Sequence, residues 1–133
     1  MIREVEEKDF QLLTKLYKEI FSTNISFNEE FNNKKVYIED NNIIGFIDYS
    51  IIYDRAEINY IWVNPDYQRK GIATKLLNNM LSNLNGVLNV TLEVNDSNTK
   101  AINFYLKNGF KTVSKREKYY KDGHDAYLMM KVI

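Results

Sequence analysis

The single proline of this 133-residue chain stands at position 65, and the hydrophobic pattern changes period on either side of it. Before it, Ala56 to Val63 alternates, with Ile58, Tyr60 and Trp62 on one face and Asn59, Ile61 and Val63 on the other, the period of a strand. After it, from Gly71 to Leu84, the residues Ile72, Leu76, Leu77, Met80, Leu81 and Leu84 recur at intervals of three and four, the stripe of an amphipathic helix. Proline donates nothing to a sheet ladder and ends the strand. A strand feeding a helix through a Gly-containing turn is therefore fixed in mid-chain, and the other elements must pack around it.

Those elements follow from the same periodicities. Residues 2–5 read as a short first strand. From Asp9, the residues Phe10, Leu13, Leu16, Tyr17, Ile20 and Phe21 share one helix face, and Phe27 and Phe31, four apart, suggest a second short helix. Val36 to Glu39 and Ile43 to Tyr53 flank Asn41-Asn42 as an antiparallel hairpin. Val87 to Val94 has the composition of a buried strand. Ser97 or Asn98 caps a helix carrying Ala101, Ile102, Tyr105 and Leu106, with Gly109 at its left-handed end. Phe110 to Tyr120 and Ala126 to Val132 form a second hairpin around Lys121-Asp122-Gly123-His124. The order β-α-α-β-β-β-α-β-α-β-β describes a mixed α/β domain with one central sheet, a single domain over residues 1–133.

Composition narrows the chemistry. The chain has no Cys, so disulfides, thiolate metal sites and a Cys nucleophile are excluded. Its single His, His124, rules out a His-rich zinc site and reads as a solvated turn residue. Eighteen basic and eighteen acidic residues give zero formal net charge, which speaks against a general nucleic-acid binder. Acids at Glu4, Glu6 and Glu7 stand where a secretory signal is apolar, and no membrane span is expected, so the reading is cytoplasmic. Glu29, Glu30, Glu39, Asp40 and Asp48 read as a solvated face rather than an acidic approach for a basic substrate.

Two segments carry candidate chemistry. In Val63-Asn64-Pro65-Asp66-Tyr67-Gln68-Arg69-Lys70-Gly71-Ile72-Ala73, the helix start offers unpaired N–H groups and a positive dipole end, which suit a phosphate-bearing anion. Gly71 lets the backbone approach a ligand, Ala73 leaves room, and Arg69 and Lys70 add charge. The alternative is a plain strand-to-helix turn with a solvated basic pair. In the second segment Glu93 interrupts an apolar strand, so its carboxylate faces a cleft, water or a partner. Tyr105 is either a core tyrosine or a working one.

Gln68-x-x-Gly71-x-Ala73 after a strand ending Val63-Asn64-Pro65 resembles the acetyl-CoA signature Q/R-x-x-G-x-G/A of the GCN5-related N-acetyltransferases (GNAT). The resemblance implies a single central, mostly antiparallel sheet of about seven strands, splayed between the fourth and fifth and flanked by about four helices. It implies acetyl-CoA as the acetyl donor and no metal. The pyrophosphate would meet the amides of Arg69, Lys70, Gly71, Ile72, Ala73 and Thr74 beside Gln68, and the pantetheine arm would pair with the backbone of Ile61, Trp62 and Val63. Asn98 matches the family Asn that bonds that arm, though capping accounts for it equally well.

The run from Leu92-Glu93-Val94 through Ser97-Asn98, Ala101-Ile102, Tyr105 and Gly109-Phe110, then Arg116-x-x-Tyr119-Tyr120 and Asp125-Ala126, is similar to the bacterial ribosomal-protein-alanine N-acetyltransferases, the RimI type. That likeness, over about residues 56 to 130, makes Glu93 the general base and Tyr105, twelve residues later, the general acid. An α-amino group has a pKa of about 7.7 to 8.0, so part of it is protonated near neutrality and needs a base. Tyr119 and Tyr120 either line the acceptor site or pack as cross-strand aromatics. Phe21 to Ser26 lacks the Pro-Trp pair frequent in such enzymes, and the last hairpin is tight. The expected reaction is acetylation of a protein N-terminal amine, with the N-terminal alanine of a small-subunit ribosomal protein leading. The alternatives are a small-amine acetyltransferase, acting on a polyamine, amino acid or aminoglycoside, and a non-catalytic acyl-CoA-binding module. A monomer or homodimer is expected.

Overall fold

Apolar alternation and turn chemistry place the strands where the sequence puts them. A computed structural model of the chain describes residues 1–23 and 32–133. The short helix expected around Phe27 and Phe31, and the acids Glu29 and Glu30, lie outside the described residues. Strand β1 (Ile2–Glu4) leads through a 3₁₀ turn (Glu7–Asp9) into helix α1 (Phe10–Phe21). Strands β2 (Asn32–Glu39), β3 (Asn42–Ile52) and β4 (Arg55–Val63) follow, then helix α2 (Ile72–Ser82) and strand β5 (Asn89–Asn95). Helix α3 (Thr99–Lys107) and strands β6 (Lys111–Arg116) and β7 (Ala126–Val132) complete the chain. The strands form a seven-stranded sheet in the order β1-β2-β3-β4-β5-β7-β6.

The printed pairings of β1 with β2, β5 with β7 and β6 with β7 are antiparallel. The pair β4 and β5 is parallel, and its ladder runs only from Arg55–Asn89 to Glu57–Thr91. The β4 residues of that ladder are Arg55, Ala56 and Glu57. The β2–β3 turn has positive φ at Asp40 and Asn41, 51° and 65°, as a type I′ hairpin turn requires and as Asp and Asn tolerate better than other side chains.

The chain divides into two compact units, residues 1–49 with 60–80 and residues 50–59 with 81–133. In the first, the inner face of α1 supplies Leu13 and Tyr17, which pack with Val36 and Phe46 in a fully buried cluster bordered by Phe21, Tyr60 and Trp62. Tyr17 stacks on Phe46 at 4.8 Å. Gly45 on β3 serves close approach, because a Cβ there would lie 2.9 Å from the Trp62 carbonyl oxygen and against Leu76 and Ile72. In the second unit, Val90, Leu92 and Val94 on β5 pack in a core that also holds Tyr105, Phe110, Ala126 and Met129.

One acidic residue departs from its expectation. Asp48 is 1% exposed and belongs to no solvated face. It sits in the buried run of β3, where its carboxylate accepts the Tyr17 hydroxyl at 2.8 Å and lies 3.9 Å from the Lys34 ammonium. Charge in such a place persists only when paired. Burial first, then the Asp48 charge, pushes the Tyr17 phenol far above its ordinary range. Asp9 is likewise buried, and hydrogen bonds from Arg3 hold its carboxyl below the usual carboxylate range.

Candidate active site

The first unit carries the anion-binding segment. Asn64 ends β4 by donating its N–H to the Ile44 carbonyl at 2.8 Å. Its side chain accepts from the Asp66 N–H at 2.9 Å and so caps the 3₁₀ turn Pro65–Tyr67. The chain then passes through positive φ at Arg69, 68°, and at Gly71, 73°. Left-handed backbone at a non-glycine residue stores strain, and such strain clusters at ligand-binding loops. The first bond of α2 is from the Lys75 N–H to the Gly71 carbonyl at 3.0 Å, so the amides of Gly71, Ile72, Ala73 and Thr74 have no acceptor inside the helix.

The surroundings of Gly71 are open, since a Cβ built there would meet nothing within 4 Å. Ile72 is buried and anchors the helix start in the core, leaving its amide as the part available to a ligand. Arg69 and Lys70 are exposed, and the Lys70 ammonium lies 5.2 Å from the Tyr67 ring centre. Amides, helix dipole and two cations together fit a pyrophosphate. The Gln68 side chain turns back to the Val63 carbonyl at 3.4 Å. Ile61, Trp62 and Val63 are half-buried on β4.

The second unit carries the proton-handling residues. Period two along β5 sends Leu92 and Val94 into the core and Glu93 to the opposite face with Thr91 and Asn95. The Glu93 side chain is 22% exposed, and its Oε1 lies 3.3 Å from Nη2 of Arg116. Across the ladders Glu93 faces Leu128 on β7, and Leu128 faces Ser114 on β6. Arg116, the last residue of β6, therefore reaches over β7 to the carboxylate. Its guanidinium also sits 5.3 Å from the Tyr119 ring centre, and Tyr119 meets Tyr120 edge to face at 5.1 Å. Burial first, then the Glu93 charge, raises the Tyr120 phenol above its ordinary value. Arg116 is the site residue that the motif alone does not assign.

Tyr105 is 5% exposed on α3, edge-on to Phe104 and Phe110. Burial pushes its phenol well above its ordinary value, and its hydroxyl makes no hydrogen bond to another described residue. The proton is therefore retained throughout the neutral range. Asn98 is the cap of α3, its Oδ1 accepting the Ala101 N–H at 3.2 Å. His124 does more than face solvent: its Nδ1 lies 2.7 Å from Asp96 Oδ1. With the Asn95 to Asp122 bond at 3.1 Å, it ties the loop bearing Tyr119 and Tyr120 to the connection between β5 and α3.

Residues 2–110 match the model of the Acetyltransferase (GNAT) family. The chain belongs to this family. An N-alpha-acetyltransferase of Sulfurisphaera tokodaii is 49% identical over 78 residues, which cover 56% of this chain and 47% of that protein. The chain thus matches about half the length of this relative. A [Ribosomal protein bS18]-alanine N-acetyltransferase of Haemophilus ducreyi is 31% identical over 128 residues, 90% of this chain and 88% of that one. Among solved structures, a ribosomal-protein-alanine N-acetyltransferase from Escherichia coli matches with a TM-score of 0.88 at 28% identity, covering 100% of this chain and 93% of that chain. The mixed α/β GNAT fold with one seven-stranded sheet expected from the sequence is the one observed, and the structure adds that its β4–β5 pair is parallel. Arg116, Tyr119 and Tyr120 lie beyond the residues matched by the GNAT model.

Proposed function

We propose that this GNAT chain transfers the acetyl group of acetyl-CoA to the α-amine of a protein N-terminus, the N-terminal alanine of a small-subunit ribosomal protein being the leading acceptor. The observation that carries this reading is a carboxylate, Glu93, interrupting a buried strand in the same unit as a buried tyrosine that keeps its proton. The Haemophilus ducreyi relative, matched over most of both chains, supports the choice of acceptor. Among the described residues no helix is long and apolar enough to cross a membrane, and a ribosomal acceptor implies work in the cytoplasm.

Acetyl-CoA, when bound, supplies the acyl group as a thioester. Arg69, Lys70 and the amides of Gly71 to Thr74 would hold the pyrophosphate, and the Ile61 to Val63 backbone would receive the pantetheine arm. Glu93 accepts a proton from the substrate ammonium, directly or through water, which frees the amine as nucleophile. The amine would form the C–N bond at the thioester carbon as the C–S bond breaks, its surplus proton passing to water, while Tyr105 would give its hydroxyl proton to the leaving thiolate and regain one from solvent. Proton transfer by positioned groups of this kind contributes about 10² to 10⁴ in rate.

The chain's lack of cysteine gives a clean assay, because the CoA thiol released is the only thiol present. An alanyl peptide incubated with acetyl-CoA and the protein is expected to release CoA in proportion to acetylated peptide. Glu93→Gln is expected to reduce that rate by about 10²-fold or more. Thiol release that ignores the peptide, or a full rate in the variant, contradicts the reading.

A further inference from the structure

Glu93 does not stand alone on its face of the sheet. Beside its carboxylate, at 3.3 Å, is the guanidinium of Arg116, whose side chain is 62% exposed. A guanidinium carries five N–H donors in a fixed plane and accepts nothing. Glu93 is the one carboxylate within ion-pair distance of Arg116 among the described residues. Its Cζ lies 5.3 Å from the Tyr119 ring centre, and at this exposure the guanidinium stays accessible to a ligand.

An acceptor and a donor side by side complement a ligand that presents a donor and an acceptor at the same spacing. In an α-amino acyl unit the amine nitrogen and the first carbonyl oxygen lie about 3 Å apart by standard bond lengths. An amine seated on Glu93 thus brings that carbonyl to Arg116. A simple alkylamine offers nothing there, and a polyamine offers a second cation that Arg116 repels.

We infer that Arg116 is a specificity-determining residue that donates to the first carbonyl of the acceptor, so that the site selects amines followed by a carbonyl over plain amines. This rests on the acetyl-transfer reading with Glu93 as base. The neighbouring Tyr120, held neutral by burial and by Glu93, is a second donor on the same side.

The test compares trialanine amide with a primary alkylamine of similar length, in wild type, Arg116→Gln and Arg116→Lys, by acetyl transfer and by titration of each amine onto the CoA-loaded protein. A hydrogen bond to a charged group is worth about 1.5–3 kcal/mol, roughly 10- to 100-fold. Arg116→Gln is therefore expected to lower the peptide-to-alkylamine ratio, in binding and in kcat/KM, by that factor, since any effect of the lost guanidinium on Glu93 is shared by both amines. Arg116→Lys, which keeps a donor, is expected to recover part of the loss. Equal losses for both amines, or no loss for the peptide, overturn the inference while leaving the acetyl-transfer reading in place. Arg116-dependent preference for the peptide in binding, with no acetyl transferred to either amine, does the reverse.

Discussion

Tyr105→Phe is expected to lower kcat by about 10²-fold or more while acetyl-CoA affinity stays within about twofold. The structure makes this substitution a sharp probe. The ring is held by Phe104 and Phe110, contacts that phenylalanine keeps. The hydroxyl bonds no other described residue, so its removal orphans no described partner and the melting temperature is expected to be unchanged. A drop in kcat at unchanged stability therefore reports the proton alone. Because burial holds the Tyr105 phenol well above its ordinary value, the wild-type kcat profile is expected to show no alkaline fall near pH 10, where a free tyrosine titrates. An undiminished kcat in the variant removes Tyr105 from the mechanism.

Gly71→Val is expected to raise the dissociation constant for acetyl-CoA by about tenfold or more. The position has φ of 73°, and left-handed backbone costs an L-residue roughly 1–2 kcal/mol, most for a β-branched one. A Cβ there meets no protein atom within 4 Å, so the effect expected comes from the backbone conformation and from bulk added beside the amides proposed to bind the pyrophosphate. Ile72, Leu76, Leu77 and Met80 remain buried and hold α2 in place. The loss is thus expected in cofactor affinity, with kcat at saturating acetyl-CoA near wild type. Equal affinity in the variant contradicts the pyrophosphate cradle.

The elements that repeat a local pattern were legible in the sequence. The stripe ending in Phe21 became α1, the alternation before Pro65 became β4, and Asn98 proved to be a cap. Helix α2 is shorter than its stripe, ending at Ser82 rather than Leu84, as helix ends fray where tertiary packing stops. What depends on distant chain was not legible. Asp48 reads as a surface acid until Tyr17, 31 residues away, is seen to donate to it. The Glu93 to Arg116 pair requires β7 to lie between β5 and β6, and the β6–β7 register shifts between Thr112 and Ser114. No spacing along the sequence encodes that shift, so the motif contained Arg116 but gave it no role and did not show that it pairs with Glu93. His124 shows the same limit: its turn was evident, its contact with Asp96 was not.

The central claim is acetyl transfer to an α-amine with Glu93 as base. It is tested most directly by mass spectrometry of a panel of alanyl peptides, polyamines, free amino acids and an aminoglycoside, incubated with acetyl-CoA and either wild type or Glu93→Gln. The account predicts one acetyl group on the peptide α-amine with wild type, little on the small amines, and almost none anywhere with the variant. Acetylation of the small amines in preference to the peptides, or equal peptide acetylation by the variant, would contradict it.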